Sequence, residues 1–419
     1  MKLWLLTIGE PLPEIDGSPR LLRAGLMAEY AAARGHDVTW WTSSFDHSGK
    51  YMRESADFTT SVGIKIRLFP GGGYTSNVSV ARLLDHSVVA AKILLEARDW
   101  DRPDIIVASL PSLELSAAAV WLGKRFSVPV VVDVRDLWPD IFLDVLPPLS
   151  RIPARVLLAP WATMARYALS NASAITGITE EFVSWGVARA RRPRGLLDQT
   201  YPLAYPQSVP TAEAQWASFA FWKSKGVRSN DALVACFFGS LGKQFELDTL
   251  LDAAVLLHAR NIPVQVVVCG SGEALNDAAP RIAELPNVIC PGWVDAAQIW
   301  TLLRMSHVGL APYRTSPSFS MSIPNKVVEY WSAGLPVISS LQGKLAKLLA
   351  SEQIGFSVPN RDAGGWADAL AHCAAAGSTI ERMGLRARKL YVEHFTAEVI
   401  YEKWIDGLEG LAISAAGRS

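Results

Sequence analysis

The sequence predicts an α/β protein of two domains, each built around a parallel β-sheet. In both halves, short apolar runs typical of buried parallel strands alternate with helical patterns. The chain has 419 residues, of which 50% are hydrophobic, and this length suits two or three domains with sizeable cores. Residues 196–212 lack hydrophobic periodicity and contain Pro202, Pro206 and Pro210. We therefore place the boundary between the domains there.

The composition excludes several functional classes. The formal net charge is zero, which argues against a nucleic-acid-binding protein. The cysteines are few and scattered, without the spacing of a zinc site or a disulfide framework, and this fits a reduced cytoplasmic protein. No apolar run reaches the roughly 18 residues that a membrane helix needs. The short apolar run at residues 2–8 is interpreted as a first strand and not as a signal peptide.

The first half predicts a doubly wound domain whose ligands gather at the carboxyl ends of its strands. Its strands are expected at residues 3–8, 38–42, 64–69, 104–108 and 129–133. The loop after the first strand is longer than the usual connection between a strand and a helix. Gly17 in this loop would let the backbone approach a ligand closely, and a plain connection is the alternative.

Charged residues follow the strand that ends near Asp133. Asp133, Arg135, Asp136 and Asp140 form a mixed acidic and basic cluster just past an apolar run. Burying such charges costs free energy unless they are paired or used. Two interpretations stay open: an ion pair between Arg135 and a neighbouring aspartate that fixes the strand end, or a functional site.

The residue pattern of residues 141–170 differs from that of the rest of the first half. Apolar side chains, including Trp161, are interleaved with Arg151, Arg155 and Arg166. This pattern suits contact with an anionic membrane, but it also suits a helix packed on the domain with its arginines in water. The arginines at positions 189, 191, 192 and 194 could join a lipid surface, hold a pyrophosphate or simply be solvated.

In the second half, glycines follow two of the expected strands, which lie near residues 233–238 and 264–268. Glycine at a strand end allows the backbone to approach an anion closely. A short Gly-x-Gly turn is a weak signal when it stands alone. The residues concerned are Gly239, Lys243, Gly270 and Gly272.

Residues 316–339 predict a polar loop, a helix and a buried strand. Ser322 is the candidate N-cap, and Pro324 would occupy the first turn, where proline costs little. The N-terminus of such a helix presents N–H groups and a positive dipole end to a phosphate, and Lys326 could add a point charge. Glu329 lies about one turn further and could accept hydrogen bonds from two vicinal hydroxyls. The alternative is an ordinary amphipathic helix with a solvated Glu329.

This stretch resembles the nucleotide-sugar signature of the family 4 glycosyltransferases, which are retaining enzymes of the GT-B fold. The closest match is its end, Ala333-Gly334-Leu335-Pro336-Val337-Ile338. The resemblance implies two Rossmann-like domains that face each other across a cleft, with the last helix crossing back to the first domain. It places the acceptor-side domain at residues 1–205 with 396–419, and the nucleotide-sugar-binding domain at residues 206–395.

The resemblance also implies roles for individual residues. In the family, a glutamate at the position of Glu329 holds the ribose, while Met321 stands where a first glutamate is usual. The family's phosphate-binding arginine falls on Ser240 or Leu241, so Lys243 or Lys326 would have to replace it. The other residues implied in donor binding are Gly17, Gly239, Gly270, Gly272, Trp293, Val294, Ser322 and Asn325.

The segment from Arg135 to Pro139 resembles an element of the family's bacterial surface-polysaccharide branch. Arg135 aligns with a histidine that meets the transferred sugar in many members, and Asp136 becomes the candidate to contact the acceptor hydroxyl as its base. Arg135, Asp136 and Lys326 are therefore the expected catalytic residues.

The implied function is transfer of a sugar, with retention, from a nucleotide sugar to a glycan or a lipid-linked acceptor in polysaccharide biosynthesis. UDP is the default nucleotide of the family, and no metal is expected. A lipid-linked acceptor would place the protein at the inner face of the membrane, in contact through residues 141–170. Two alternatives stay open: a GT-B epimerase or hydrolase of nucleotide sugars, and a non-catalytic scaffold that binds them. The sequence leaves the sugar, the acceptor, the linkage and the oligomeric state open.

Overall fold

The computed structural model of the chain describes residues 1–15, 20–54, 56–76, 79–144 and 146–417. Gly17, one of the expected binding residues, lies outside them. The chain divides into two compact units. Unit 1 comprises Met1–Pro202 and Glu398–Ser419, and unit 2 comprises Leu203–Ala397. In the described part of the chain, no helix is both long enough and apolar enough to cross a membrane.

Unit 1 is built on a sheet with the strand order β5-β6-β2-β1-β7-β8-β9, in which only β5 runs antiparallel to its neighbour. A separate antiparallel pair, β3 with β4, follows β2. The strands are β1 (Lys2–Leu6), β2 (Asp37–Ser43), β3 (Phe45–Asp46), β4 (Tyr51–Met52), β5 (Phe58–Thr59), β6 (Lys65–Phe69), β7 (Ile105–Leu110), β8 (Val130–Val134) and β9 (Ala174–Gly177).

Helices cover the sheet of unit 1, and a short 3₁₀ helix at Pro148–Ser150 joins two of them. The chain returns to this unit with its last helix, whose Tyr401 stacks on Tyr30 at 5.5 Å between ring centroids. The helices are α1 (Arg23–Ala33), α2 (Val80–Ala97), α3 (Leu113–Phe126), α4 (Ile141–Asp144), α5 (Arg151–Leu157), α6 (Ala159–Asn171), α7 (Glu180–Ala190) and α17 (Ala397–Ala416).

Unit 2 contains a wholly parallel sheet with the strand order β12-β11-β10-β13-β14-β15. Its strands are β10 (Leu233–Ser240), β11 (Val264–Ser271), β12 (Val288–Gly292), β13 (Val308–Ala311), β14 (Val337–Ser339) and β15 (Gly355–Ser357). Its helices are α8 (Ala212–Ser224), α9 (Leu247–Ala259), α10 (Glu273–Ala283), α11 (Ala296–Met305), α12 (Pro317–Ser320), α13 (Asn325–Ser332), α14 (Lys344–Glu352), α15 (Ala363–Ala375) and α16 (Gly377–His394).

The central strands of both sheets are buried over most of their length because helices cover both faces. Every residue of β7 and of β8 is buried, as continuous apolar runs in parallel sheets predict. Among the parallel strands of each sheet the order reverses once, between β1 and β7 in unit 1 and between β10 and β13 in unit 2. The loops that leave such neighbouring strands diverge and open a crevice at the carboxyl edge, where ligands of doubly wound sheets bind.

Candidate active site

The crevice of unit 2 opens between the loop after β10 and the segment after β13 that leads into α13. Tyr330 of α13 anchors this arrangement, since its hydroxyl donates to the Leu310 carbonyl of β13 at 3.0 Å. Gly309 leaves room for the Tyr330 ring, because an added Cβ there would overlap it. The first turn of α13 is thereby held at the carboxyl edge of the sheet, beside the end of β10.

The start of α13 differs from the sequence prediction. The helix begins at Asn325, and Pro324 is its N-cap residue, with an extended backbone at φ −63° and ψ 146°. Ser322 is not the N-cap: it is buried, and its hydroxyl donates to the Phe319 carbonyl at 3.1 Å. Proline disfavours a helical conformation in the residue before it, so the helix cannot extend back through Ile323. The N-cap residue Pro324 makes no side-chain capping bond, and Asn325 is exposed there.

Lys326 reaches back from α13 to the end of β10. Its Nζ lies 5.6 Å from the ring centroid of Phe237 and 5.3 Å from that of Phe245. Gly239 has a φ of +136°, and a Cβ added there would lie 2.7 Å from Lys326 Cε and closer still to Nζ. The ammonium therefore lies directly over the Gly239 backbone. A positive charge, a helix N-terminus and an open glycine backbone meet at this point.

Lys243 points away from this arrangement. Its Nζ pairs with the Glu273 carboxylate at 3.1 Å, and the two side chains are 81% and 62% exposed. Solvent screens such a pair, so it contributes little to stability. Of the two lysines that the sequence offered for a phosphate, the structure brings Lys326 to the end of β10 and pairs Lys243 with a carboxylate at the surface.

Gly270 and Gly272 allow the backbone at the end of β11 to pack closely against the backbone at the end of β10. Gly270 has a φ of +132°, and an added Cβ would lie 2.9 Å from the carbonyl carbon of Gly239. Gly272 has a φ of +143°, and an added Cβ would lie 2.8 Å from the carbonyl carbon of Leu241. The loop after β11 thus lies against the loop after β10, which gives both glycines a structural reason independent of any ligand.

Glu329 lies in the interior of unit 2, at 1% exposure. It is close to Cys236 of β10: burial raises the pKa of that thiol to about 12, and the negative charge of Glu329 adds to the rise. The alternative of a solvated Glu329 is therefore wrong. A ribose could reach this carboxylate only if the atoms that cover it move aside.

Trp293 and Val294 follow β12 at the same carboxyl edge. Gly292 pairs with Cys269 of β11, which brings Trp293 next to the Gly270 loop. The Trp293 residue is 73% exposed, whereas Val294 is buried at 5%. An exposed indole beside a loop is a surface on which a planar base can stack.

In unit 1, Arg135 pairs with Glu10 and not with a neighbouring aspartate. The Arg135 guanidinium donates to Glu10 Oε1, and Glu10 Oε2 accepts from the backbone N–H of Ala24 in the first turn of α1 at 2.9 Å. Burial opposes the charge on Arg135, but the carboxylates of Glu10 and Asp133 outweigh it and raise the pKa of the guanidinium. Glu10 therefore ties the end of β8 to the loop after β1 and to α1.

Asp133 belongs to a separate buried ion pair. Its two carboxylate oxygens accept from Arg23 Nε at 2.7 Å and Nη2 at 2.9 Å, and one also accepts from the Thr176 hydroxyl at 2.8 Å. The Arg23 and Asp133 side chains are 2% and 1% exposed. The Arg23 guanidinium also lies 4.2 Å from the ring centroid of Trp404 on α17. Arg23 therefore links β8 to the last helix. Its two hydrogen bonds to Asp133 offset part of the free energy that burying both charges costs.

Asp136 is partly exposed, between Arg135 and Arg82. Burial raises the pKa of this carboxyl, and the two guanidinium groups oppose the rise. Arg82, on α2, lies over the Trp138 ring at 4.7 Å from its centroid and over the Tyr74 ring at 5.7 Å. A carboxylate with a raised pKa accepts a proton more readily than an ordinary aspartate does.

Sequence reasoning missed a group of side chains beside Asp136. The Tyr74 hydroxyl lies 2.6 Å from His47 Nδ1, and Lys50 Nζ lies 4.8 Å from the Tyr74 ring centroid. Arg82 Nε donates to His86 Nε2 at 3.4 Å. These residues come from the chain after β2, the loop after β6 and from α2, and no motif links them. Only the meeting of strand ends at one sheet edge could have predicted this cluster.

Among the described residues, no group of three or more His, Cys, Asp or Glu could hold a metal ion.

The chain from residue 141 to 158 packs differently from the expected helix on the domain. No described residue of α4, the 3₁₀ helix or α5 is buried. Several large apolar side chains are strongly exposed there: Leu149 at 90%, Ile152 at 70%, Val156 at 74% and Leu157 at 73%. The next helix, α6, does pack inward, with Ala165, Ala168 and Leu169 buried.

Two protein families match this chain by sequence. Residues 22–198 match the family described as "Glycosyl transferase 4-like domain", and residues 232–375 match the family described as "Glycosyl transferases group 1". Together the two ranges span about three quarters of the chain. The chain is also 25% identical over 115 residues to a chitobiosyldiphosphodolichol beta-mannosyltransferase from Yarrowia lipolytica, a match that covers 26% of this chain and only 24% of that relative.

Solved structures resemble the chain over nearly its whole length. HepE from Anabaena, solved in complex with UDP, has a TM-score of 0.64 at 15% identity and covers 98% of this chain and 100% of its own. Sucrose-phosphate synthase from Thermosynechococcus elongatus has a TM-score of 0.68 at 16% identity, with 99% of each chain covered. WaaG, a glycosyltransferase of lipopolysaccharide biosynthesis, has a TM-score of 0.63 at 14% identity and covers 97% of this chain and 99% of its own. At these identities the likeness concerns the fold, and it confirms the predicted GT-B class.

Proposed function

The chain belongs to the family 4 glycosyltransferases, and we propose that it transfers a sugar from a UDP-sugar to a glycan or a lipid-linked acceptor, with retention at the anomeric carbon. The observation that carries the proposal is Lys326 over the Gly239 backbone at the start of α13, where the N-cap residue Pro324 makes no side-chain capping bond. A helix N-terminus with an adjacent ammonium is suited to a diphosphate. UDP is favoured because HepE, a structural neighbour, was solved with UDP.

In the donor half of the site, charge develops on the diphosphate as the sugar leaves. Lys326 and the dipole of α13 stabilise that charge, and preorganised groups of this kind lower the barrier most when they meet charge that forms in the transition state. Trp293 offers the exposed ring for the base, and Glu329 takes the ribose hydroxyls after the atoms that cover it have moved. Asn325 and the backbone at Gly239 line the path of the diphosphate.

In the acceptor half, Asp136 accepts a hydrogen bond from the attacking hydroxyl. The bond from the anomeric carbon to the diphosphate oxygen breaks while a bond to the acceptor oxygen forms on the same face. The proton of the acceptor hydroxyl passes to the departing phosphate, so the reaction requires no further reactant. The guanidinium groups of Arg135 and Arg82 lie near Asp136, and their positive charges oppose the rise of its pKa.

We further propose that the protein acts in bacterial surface-polysaccharide biosynthesis, in the cytoplasm at the inner face of the membrane. The support is the exposed apolar chain at residues 141–158, which buries no described side chain within its own unit. A lipid-linked acceptor would require such a contact, and a soluble glycan would not.

The test is a thermal-shift screen against UDP, GDP, dTDP and ADP, followed by measurement of nucleotide release from the matching sugars. A ligand that binds only the folded state at a hundred times its Kd stabilises by about 2.7 kcal/mol. We expect a clear shift with UDP and release of UDP that depends on an added acceptor. Release that needs no acceptor would instead indicate a hydrolase, and binding without turnover on any acceptor would indicate a scaffold. No shift with any nucleotide would refute the proposal.

A further inference from the structure

Two adjoining cavities in unit 1, of about 380 and 480 Å³, form one groove beside α5, α6 and α7. Five arginines line this arginine groove, and only two carboxylates, Asp140 and Asp144, lie among them. The arginines are Arg151, Arg155, Arg166, Arg189 and Arg191.

The carboxylates do not neutralise the arginines. Asp140 is engaged by the Arg189 guanidinium and by the indole N–H of Trp185, which donates to it at 2.9 Å. Arg151 Nε donates to the Leu146 carbonyl at 3.1 Å. Within the described part of the chain, Arg155, Arg166 and Arg191 have no ion pair and no side-chain hydrogen bond. The groove thus carries excess positive charge, with guanidinium groups that have donors to spare.

The same segment presents apolar side chains next to these arginines. On α5, Ile152 and Val156 are four residues apart and form one stripe, and Arg151 and Arg155 form the adjacent stripe. Ile152 is 70% and Val156 is 74% exposed, and Leu149 before them is 90% exposed. Contiguous exposed apolar surface on a soluble domain marks a contact with a partner or a membrane.

The chemistry of the groove selects its occupant. Guanidinium groups bind phosphate oxygens through two parallel hydrogen bonds. A groove lined by arginines therefore indicates a phosphate ligand and not merely a positively charged surface. A nucleotide or a phosphopeptide would leave the apolar stripe in water. When a lipid carries the phosphate, the phosphate can bond to the arginines while the hydrocarbon chain covers the apolar side chains. Both contacts are possible together because head group and chain meet at the membrane interface, where arginine and leucine side chains lie next to each other.

We propose that the arginine groove binds the phosphate or diphosphate group of a membrane lipid, with the apolar stripe of α5 inserted at the edge of the bilayer. This inference rests on the proposed function in one respect: the lipid phosphate that it binds during turnover is that of a lipid-linked acceptor.

The experiment measures sedimentation of the full chain with phosphatidylcholine vesicles that contain a polyprenyl diphosphate, phosphatidylserine or neither. The variant Arg155→Gln/Arg166→Gln/Arg191→Gln removes three charges that have no partner in the described chain. The control removes three charges of unit 1 outside the groove, as Arg102→Gln/Arg125→Gln/Lys403→Gln. Arg102 and Arg125 are exposed, and each makes one hydrogen bond to a backbone carbonyl.

We expect the wild type to bind the diphosphate vesicles more tightly than those with phosphatidylserine at equal charge. Each basic residue near an anionic surface strengthens binding about fivefold, so the groove variant should bind roughly a hundredfold more weakly. The control should bind as the wild type does. Ile152→Gln/Val156→Gln should weaken binding to all three vesicles.

Three outcomes would overturn the inference: equal loss in the groove and control variants, equal binding to diphosphate and phosphatidylserine vesicles, or full displacement by free inorganic diphosphate at the concentration of the lipid. The thermal shift with UDP is measured on each variant. Vesicle binding lost with the UDP shift intact supports the groove, and vesicle binding unchanged with the UDP shift intact refutes the groove and leaves the glycosyltransferase function standing. No UDP shift in the wild type, together with groove-dependent vesicle binding, refutes the function alone.

Discussion

Gly239→Ala tests whether Lys326 acts from its place over the end of β10. An added Cβ would lie 2.7 Å from Lys326 Cε, and ordinary van der Waals contact begins at 3.4 Å, so the side chain must retreat by roughly 0.7 Å or more. The Lys326 ammonium lies closer to the added Cβ than Cε does, so it must move further. The lysine is flexible at its end, so it can yield without breaking α13.

Two costs follow from this substitution. A residue other than glycine at a φ of +136° is strained, and such strain costs about 1–3 kcal/mol of stability, which lowers the melting temperature by a few degrees. A misplacement of about 1 Å in a catalytic group can reduce the rate by about a hundredfold. We therefore expect a folded variant whose kcat falls by one to two orders of magnitude, with a smaller change in KM.

The assay compares kcat and KM for Gly239→Ala, Lys326→Ala and the double variant. If the alanine acts through the lysine, the double variant should have the kcat of Lys326→Ala alone, because the displaced group is already absent. Gly242→Ala is the matched control in the same loop. An added Cβ there would meet only the flexible Gln244 side chain, and the residue has no positive φ, so its kcat should stay near that of the wild type.

An additive loss of kcat in the double variant would refute the reasoning, because Gly239 would then act independently of Lys326. A Gly239→Ala enzyme with the kcat of the wild type would refute it as well. Loss of folding in the single variant would be visible as a collapse of the melting transition, and the comparison would then use Lys326→Ala against Lys326→Arg.

Three further predictions follow from the site. Glu329→Gln should weaken UDP binding by about 10- to 100-fold by calorimetry, since hydrogen bonds to a charged group contribute about 1.5–3 kcal/mol, and unchanged affinity would exclude the ribose role. Lys243→Ala should leave both kcat and melting temperature near those of the wild type, because its pair with Glu273 is exposed; a large fall in kcat would instead make Lys243 the phosphate cation. Burial, with Arg82 nearby, lowers the pKa of His86 from 6.5 to about 3. Between these two pH values the unfolded chain binds a proton at His86 that the folded chain does not bind. The free energy of unfolding therefore falls as the pH falls below 6.5. Between pH 6.5 and pH 5 this loss is about 2 kcal/mol for one histidine, and His86→Phe should flatten the dependence of the melting temperature on pH.

The placement of the proposed donor residues at strand ends was predictable because its information is local in the sequence. The loop before α13, the start of α13 and the glycines after β10 and β11 each lie within a short stretch of sequence. Hydrophobic periodicity and the positions of proline predict that these stretches follow the ends of strands. The prediction failed where two local signals competed: Ser322 has the chemistry of an N-cap, but Pro324 moves the helix start to Asn325. Burial of Glu329 could not be read from the helix pattern, since burial depends on what packs against the helix.

The acceptor half was predictable only in location. The end of β8 was correctly identified as a place where charges gather, but the partner of Arg135 is Glu10, from the other side of the sheet's reversal point. His47, Tyr74 and Arg82 come from three segments that share no spacing or motif. Such a cluster is fixed by strand order, and strand order is not a property of any short stretch of sequence.

The pairing of Arg135 with Glu10 has a consequence for Asp136. Had Arg135 paired with Asp136 directly, the carboxylate would be stabilised in its charged form and would have a lowered pKa. Instead Glu10 holds Arg135, and the N–H of Ala24 holds Glu10. Burial therefore prevails at Asp136, and the pKa of this carboxyl lies above its ordinary value. The pair of Arg135 with Glu10 thus leaves the Asp136 carboxyl without a direct ion pair to Arg135. The proposed contact of Asp136 with an acceptor hydroxyl needs such a carboxyl, so the structural interpretation of this strand end supports the functional one.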